Sequence, residues 1–346
     1  MLAASLLFIA HSQGARLESL VNQFLETHKV VGMTVCVYED GKKVFTHSAG
    51  YRNLETKQKS FPTDLYRLGS VSKPISAVAT LIALRDANGI TLDSDARTLL
   101  PNLPEGKPKF TLRQLLSHTA GFRHYGGDSD KTRAVFTYFA NQTNALKLFI
   151  DDDLIAQPGE KYSYSTHGYT VLGAAVETIT GTSFREYLRK NIFKYAGPDG
   201  LDVEVLSEKK DERTELYALV NDKPVRQAIR EDISWKLAGG GMEGTAPGLA
   251  KWADALRAGQ ILTNSELGQA WTRQKTSDGK PISYGLGFVV GTNGTISHTG
   301  AQQGARASLY INLNDKRTVV ALCNTSGNIP IESLTQTIDK ELSGSK

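Results

Sequence analysis

The sequence predicts an α/β (α+β) fold: a central antiparallel sheet flanked by helices, with a mostly helical lobe inserted into it. Three observations carry this. Near the start, VVGMTVCVYEDGKKVFTHSAG (30–50) alternates β-branched and polar residues around Asp40-Gly41, a hairpin signature. Near the end, ARASLYINLNDKRTVVALCN (305–324) repeats the pattern around Asn314-Asp315. Between these segments the periodicity is helical. One sheet assembled from both ends of the chain satisfies all three. On this reading residues 15–85 and 241–346 form the sheet part, and residues 86–240 form the helical lobe of the same domain.

The helices follow in order. Ile75, Val78, Ala79 and Ile82 fall at i, i+3, i+4 and i+7, and Asn88-Gly89 stops that helix. Thr170 to Thr180 is apolar and closed by Gly181. Residues 247–258 form a third helix, opened by Pro247. No internal repeat or low-complexity linker interrupts the pattern.

Composition narrows the class. The chain has 346 residues, 40% hydrophobic and 22% charged, as in ordinary globular proteins. A net charge of +4 with no basic run gives no support for nucleic-acid binding. No stretch approaches the roughly 18 apolar residues of a membrane span. Leu2 to Ala10 is almost wholly apolar and is followed by small and polar residues to Gly14. Residues 1–14 therefore read as a signal peptide without its basic start, which points to export, periplasmic or secreted. The alternative is a frayed apolar N-terminus on a cytoplasmic protein. Cys36 and Cys323 read as buried free thiols, since pairing is not legible from two distant positions. His118 and His124 are the closest histidine pair, but their spacing matches no helical metal motif, and neither metal nor cofactor is expected.

Ser-x-x-Lys occurs four times: Ser70/Lys73, Ser207/Lys210, Ser277/Lys280 and Ser343/Lys346. The spacing puts both side chains on one helix face. A lysine whose pKa is lowered can then take the serine proton. Ser207 lies in a solvated charge cluster, Ser277 in a turn and Ser343 in the polar tail. Only Ser70 opens a strongly apolar helix, whose first backbone N–H groups can face an anion. Two further elements follow. Tyr164-Ser165-Thr166 precedes a buried helix, and its phenol can relay a proton if nearby cations lower its pKa. His298-Thr299-Gly300 lies on a strand whose edge can offer N–H groups to a carbonyl. SHTAG (117–121) shows that a similar string arises elsewhere.

In this order the three motifs resemble those of the serine β-lactamase and penicillin-binding superfamily. The chain lacks the Ser-Asp-Asn of class A. With a tyrosine in the second motif it is similar to class C β-lactamases, D-alanyl-D-alanine peptidases and related esterases. YRLGSVSKPISAVA, LRQLLSHTAGF, QPGEKYSYSTHGYTVLG, AGGGMEGTAPGLAKWADAL and SHTGAQQGARAS extend the resemblance from about residue 30 to 325. SHTAGFRHY, YSTHGYT and WKLAGGGM are most similar to the LACTB-like branch, which is associated with peptidase activity.

The resemblance implies a β-lactamase/transpeptidase-like fold and a serine hydrolase that cleaves a peptide, amide or ester bond. Ser70 would form an acyl-enzyme, with Lys73 and Tyr164 sharing base and acid work. The N–H groups of Ser70 and Ala301 would form the oxyanion hole, and His298, Thr299 and Gly300 would line the pocket. Two departures bear on substrate. Thr166 stands where class C enzymes carry an asparagine, and His298 stands where they carry a lysine. A histidine is mostly neutral at pH 7, so a fixed charge for a penicillin carboxylate is lost. Arg306 is the candidate replacement, with a solvent-facing strand arginine as the alternative. β-Lactam hydrolysis is therefore expected to be weak at best. Arg123, His124 and Tyr125 could rim the cleft, and Gly239 to Gly241 could allow close backbone approach. Of His167 and Tyr169, at least one is expected to pack rather than react. The expected partner is a small-molecule or peptide substrate, and a homo-oligomer is allowed. Two other readings stand beside this one: a catalytically idle scaffold on the same fold, and a D-stereospecific peptidase or transferase of cell-wall metabolism.

Overall fold

Both ends of the chain contribute strands to one antiparallel sheet. The computed structural model describes residues 2–100, 103–126 and 136–344, with side chains from residue 13 onward. The N-terminal strands are β1 (Gly32–Glu39), β2 (Lys42–Asn53) and β3 (Gln58–Lys59). The C-terminal strands are β4 (Val289–Val290), β5 (Thr295–Gln302), β6 (Ala305–Asn312) and β7 (Arg317–Cys323). Their order is β3-β2-β1-β7-β6-β5-β4. The ends meet where β1 pairs with β7, Met33 opposite Cys323 and Glu39 opposite Arg317. Asp40 and Gly41 form the expected two-residue hairpin turn, both at positive φ.

Strand alternation separates two apolar layers. Five helices matter here: α1 (Leu2–Thr27), α2 (Ser72–Arg85), α3 (Thr166–Thr180), α4 (Ala246–Arg257) and α5 (Ile331–Ser343). Met33, Val35, Val37, Val319, Ala321 and Cys323 pack with Leu17, Val21 and Phe24 of α1 and with Leu334 and Ile338 of α5. Cys36, Val320, Leu322, Leu309 and Ile311 pack on the other side, in the layer of α2, α3 and α4. Cys36 and Cys323 thus lie on opposite faces as buried free thiols. α1 runs unbroken through Gly14-Ala15, the boundary of the expected signal peptide, and the side chains of residues 1–12 lie outside the described residues.

Helix boundaries show where local signals were read differently. α2 is buried from Ser72 through Leu81, as a central helix must be. It ends at Arg85, so Asn88-Gly89 belongs to the following turn and is not its cap. α3 begins four residues earlier than periodicity suggested. The Ser165 hydroxyl accepts from Gly168 N–H at 2.9 Å and caps the helix, so Gly168 sits in its first turn rather than in a loop. Thr245 caps α4 in the same way, with Pro247 in the first turn.

A small antiparallel sheet of Tyr66–Arg67, Met242–Gly244 and Leu201–Val203 leads the chain toward Ser70. Arg67 is buried beside it and donates to both carboxylate oxygens of Glu204. It also donates to Gln303 Oε1 at 3.0 Å and to Glu231 O at 2.7 Å. Arg230 adds a third donor to Glu204 at 3.3 Å. One buried ion-pair network therefore ties the approach to Ser70 to the turn after β5.

Candidate active site

Ser70 lies in a single tight turn, Gly69–Val71, directly before α2. β5 runs hard against this turn. Gly69 has φ +50°, and a Cβ there would stand 3.0 Å from Ala301 N. A Cβ on Gly300 would stand 2.1 Å from Leu68 O. Only glycine allows this approach at both positions. β4 pairs with β5 only at Ile296 and Ser297, so the edge of β5 beyond them is not covered by that strand. Thr299 O accepts from His298 Nδ1 at 2.7 Å. Alternate residues of an antiparallel strand point their backbone groups the same way, so Ala301 N–H faces the side that Thr299 O faces.

Lys73 sits one turn beyond Ser70, completely buried. Its Nζ lies 3.2 Å from Ser70 Oγ, 3.1 Å from Thr166 Oγ1 and 2.7 Å from Gly239 O. It forms no ion pair among the described residues. Burial, with the charge of Lys236 nearby, holds it well below the ordinary lysine range. The glycine run thus lines the site, with Gly239 O accepting from Lys73 and Gly240 beside Gly69. Thr166, expected as a substrate contact, is occupied with Lys73.

The ring centroid of Tyr164 lies 4.7 Å from Lys73 Nζ. Burial pushes its phenol up, with the Ser70 hydroxyl pulling the other way. The condition set in the sequence, a phenol lowered by nearby cations, is not met, because desolvation of the buried phenol dominates. Tyr164 is protonated at neutral pH.

His298 is buried, and both its nitrogens are used. Nδ1 donates to Thr299 O, so Nε2 accepts from the Tyr284 hydroxyl at 2.8 Å. Burial and the charge of Lys73 bring it down to about 3, so it is neutral. Its ring centroid is 6.3 Å from that of Tyr164, and its polar contacts run to Tyr284. Thr299 and Ala301 have exposed side chains on the outer face of β5.

Arg306 does not supply the missing charge. Ala307, Leu309 and Ile311 of β6 face the Ser70 layer, so alternation turns Arg306 to the other face. There it donates to Ala305 O at 3.1 Å and to Gly327 O. Lys236 is a further buried cation on the Ser70 side, which sequence reasoning missed although WKLAGGGM contained it. Its Nζ lies 3.2 Å from Gln302 Oε1. Burial, opposed by Glu231, brings it down to about 8.

SHTAG, set aside as a chance string, is part of the site. The ring of His118 lies 4.3 Å from that of Tyr164. His118 Nδ1 accepts from Ser165 N–H, and His124 Nδ1 accepts from Thr166 N–H, each at 3.1 Å. Two histidines therefore fix the backbone that follows Tyr164. Tyr125 covers Lys236, its ring centroid 4.5 Å from Nζ, and Arg123 pairs with Asp152. His167 stacks on Phe149 at 4.0 Å, and Tyr169 donates to Leu116 O at 2.9 Å, so both pack. Of the other Ser-x-x-Lys strings, Ser207 and Ser277 are exposed, and Lys346 lies outside the described residues. A groove of about 1100 Å³, bordered by Pro62, Phe193, Pro198 and Lys251, includes none of these site residues.

The profile of the family described as "Beta-lactamase" matches residues 17–341. The chain belongs to the Beta-lactamase family. Among its family relatives, human serine beta-lactamase-like protein LACTB, mitochondrial, is 27% identical over 301 residues, covering 66% of this chain and 53% of the relative. A D-aminopeptidase from Gluconobacter oxydans is 25% identical over 321 residues, covering 91% of this chain and 60% of the relative. The chain thus spans little more than half the length of these relatives. The solved structure titled "EstCE1, a hydrolase with promiscuous acyltransferase activity" superposes with a TM-score of 0.81 at 21% identity, covering 96% of this chain and 99% of that one. The fold is the one expected.

Proposed function

We propose that this Beta-lactamase family chain cleaves a peptide, amide or ester bond through an acyl-enzyme on Ser70. The observation that carries the reading is the bonding of Lys73. A neutral amine has two N–H donors and one lone pair. Gly239 O and Thr166 Oγ1 accept the two donors, which leaves the lone pair for Ser70 Oγ–H. Ser70 Oγ bonds to the substrate carbonyl carbon while its proton passes to Lys73 Nζ. The oxyanion meets the N–H groups of Ser70 and Ala301. Tyr164, kept protonated, gives its proton to the departing nitrogen or oxygen as the carbonyl bond to it breaks, and Lys73 returns a proton to Tyr164. Water then releases the acyl group by the same route reversed.

The D-aminopeptidase relative favours an amide bond next to a D-residue as the finer reading. Neutral His298 in place of a lysine favours slow turnover of β-lactams. The test is a panel of p-nitrophenyl esters, D- and L-alanine p-nitroanilides and nitrocefin. Short esters are expected to turn over, D-anilides faster than L-anilides, and nitrocefin slowest. Loss of all turnover in Lys73→Met with Ser70 intact supports the base assignment. Full ester turnover in that variant refutes it.

A further inference from the structure

Two buried groups beside the site hold donors that no protein acceptor takes. Lys236, on the turn Ser234–Lys236, has three N–H donors and meets one oxygen, Gln302 Oε1. Its other close neighbours are aromatic faces, Tyr125 at 4.5 Å and Trp235 at 5.2 Å. It forms no ion pair among the described residues. Gln302 Nε2 is buried with no hydrogen-bond partner. A buried ammonium in no direct ion pair, with Glu231 acting on it only at longer range, and an orphaned amide are both costly, and their coincidence marks a place for an acceptor.

Their position relative to Ser70 follows from the strand. His298, Gly300 and Gln302 alternate onto the inner face of β5, with Gly300 against the Ser70 turn. At about 3.3 Å per residue, Gln302 stands about 6.6 Å along the strand from Gly300, and His298 stands as far the other way. His298 is neutral, with both nitrogens bonded. Positive charge on this face is therefore concentrated at the Gln302 end.

We propose that Lys236 and Gln302 form a subsite for a free carboxylate of the substrate, on the opposite side of Ser70 from His298. One carboxylate oxygen accepts from Lys236 Nζ and the other from Gln302 Nε2, while Gln302 Oε1 keeps its bond to Lys236. The half-buried ring of Tyr125 covers the ammonium, so entry of the anion requires that ring to move aside. The separation fits a short dicarboxylic monoester or the corresponding amide. This rests on the reading of Ser70 as nucleophile and adds the substrate's charge to it.

The test compares mono-p-nitrophenyl glutarate with neutral p-nitrophenyl butyrate on the full chain, on Lys236→Met and on Gln302→Leu. The unaltered protein is expected to prefer the glutarate by about tenfold or more in kcat/KM. Lys236→Met is expected to bring the preference below about twofold, chiefly through KM. Gln302→Leu, which keeps the ammonium, is expected to lower it partway. Taking the ratio within each variant removes any effect of Lys236 on Lys73. Should Lys236→Met not fold, glutarate and its dimethyl ester are compared as inhibitors of butyrate hydrolysis by the unaltered chain. Glutarate is expected to inhibit at lower concentration. Equal turnover of both esters, or a preference that survives Lys236→Met, overturns the subsite and leaves the Ser70 reading intact. Turnover of neither ester overturns both.

Discussion

A single methyl group at Gly300 tests the geometry around Ser70. In Gly300→Ala the new Cβ would stand 2.1 Å from Leu68 O and 3.1 Å from Ala307 Cβ. Neither neighbour can yield easily. Leu68 is buried, with its N–H bonded to Met242 O at 2.9 Å, and Ala307 lies in β6 directly opposite Gly300. Ordinary contact begins at 3.4 Å, so β5 must withdraw from Leu68 by about 1.3 Å. Ala301 N–H moves with it. Misplacement by about 1 Å at a reacting centre can cost about 10²-fold, and losing one oxyanion donor costs about 10²–10³. We expect kcat for p-nitrophenyl butyrate to fall by about 10² or more, with about 1–3 kcal/mol of stability lost to overpacking. Steady-state kinetics and a urea melt measure both. A folded Gly300→Ala protein that keeps kcat within about threefold of the unaltered chain refutes the reasoning.

Other consequences concern charge. Glu204→Gln leaves the buried guanidinium of Arg67 without its counter-charge and is expected to cost about 3–5 kcal/mol by urea melt. Burial works to raise Glu204, but Arg67 and Arg230 together hold it below its ordinary value. Its share of stability is thus present above about pH 4.3 and lost as pH falls through the lower folded value. His298 has the other sign of problem. It is held down to about 3 in the fold, whereas an unfolded histidine binds its proton near 6.5. Stability is therefore expected to decline as pH drops from about 6.5 toward 3, and His298→Asn is expected to flatten that decline in pH-dependent melts. Arg306→Ala is expected to leave kcat/KM for the glutarate ester within about twofold, because its side chain leaves the opposite face of the sheet. A large loss there would show that the face assignment is wrong.

The parts of the site legible in the sequence were those set by local spacing. Ser70 and Lys73 are one helical turn apart, and the apolar run of α2 separates them from their decoys. The sheet was legible because 30–50 and 305–324 carry period-two patterns with turn residues between. What could not be read were contacts between distant segments. Nothing in residues 280–300 says that Tyr284 holds His298. Nothing in SHTAG says that His118 folds onto Tyr164, since 46 positions separate them. Arg306 was left between a pocket role and an outward-facing strand position, although Ala307, Leu309 and Ile311 already alternate away from it. Lys236 lay beside a glycine run that was read for backbone approach alone, and its burial depends on Trp235, Tyr125 and Gln302 coming together. The role of the Tyr164 phenol was made conditional on nearby cations lowering its pKa, but burial decides its state, and burial is a property of the packed fold.

The central claim is that Ser70 Oγ becomes covalently acylated because Lys73 takes its proton. Intact-mass and peptide-mapping mass spectrometry after treatment with a fluorophosphonate measures this most directly. One adduct on the peptide containing Ser70 is predicted, absent in Ser70→Ala and strongly slowed in Lys73→Met. A folded protein that remains unlabelled, or that carries its label on Ser207, Ser277 or Ser343, would contradict the account.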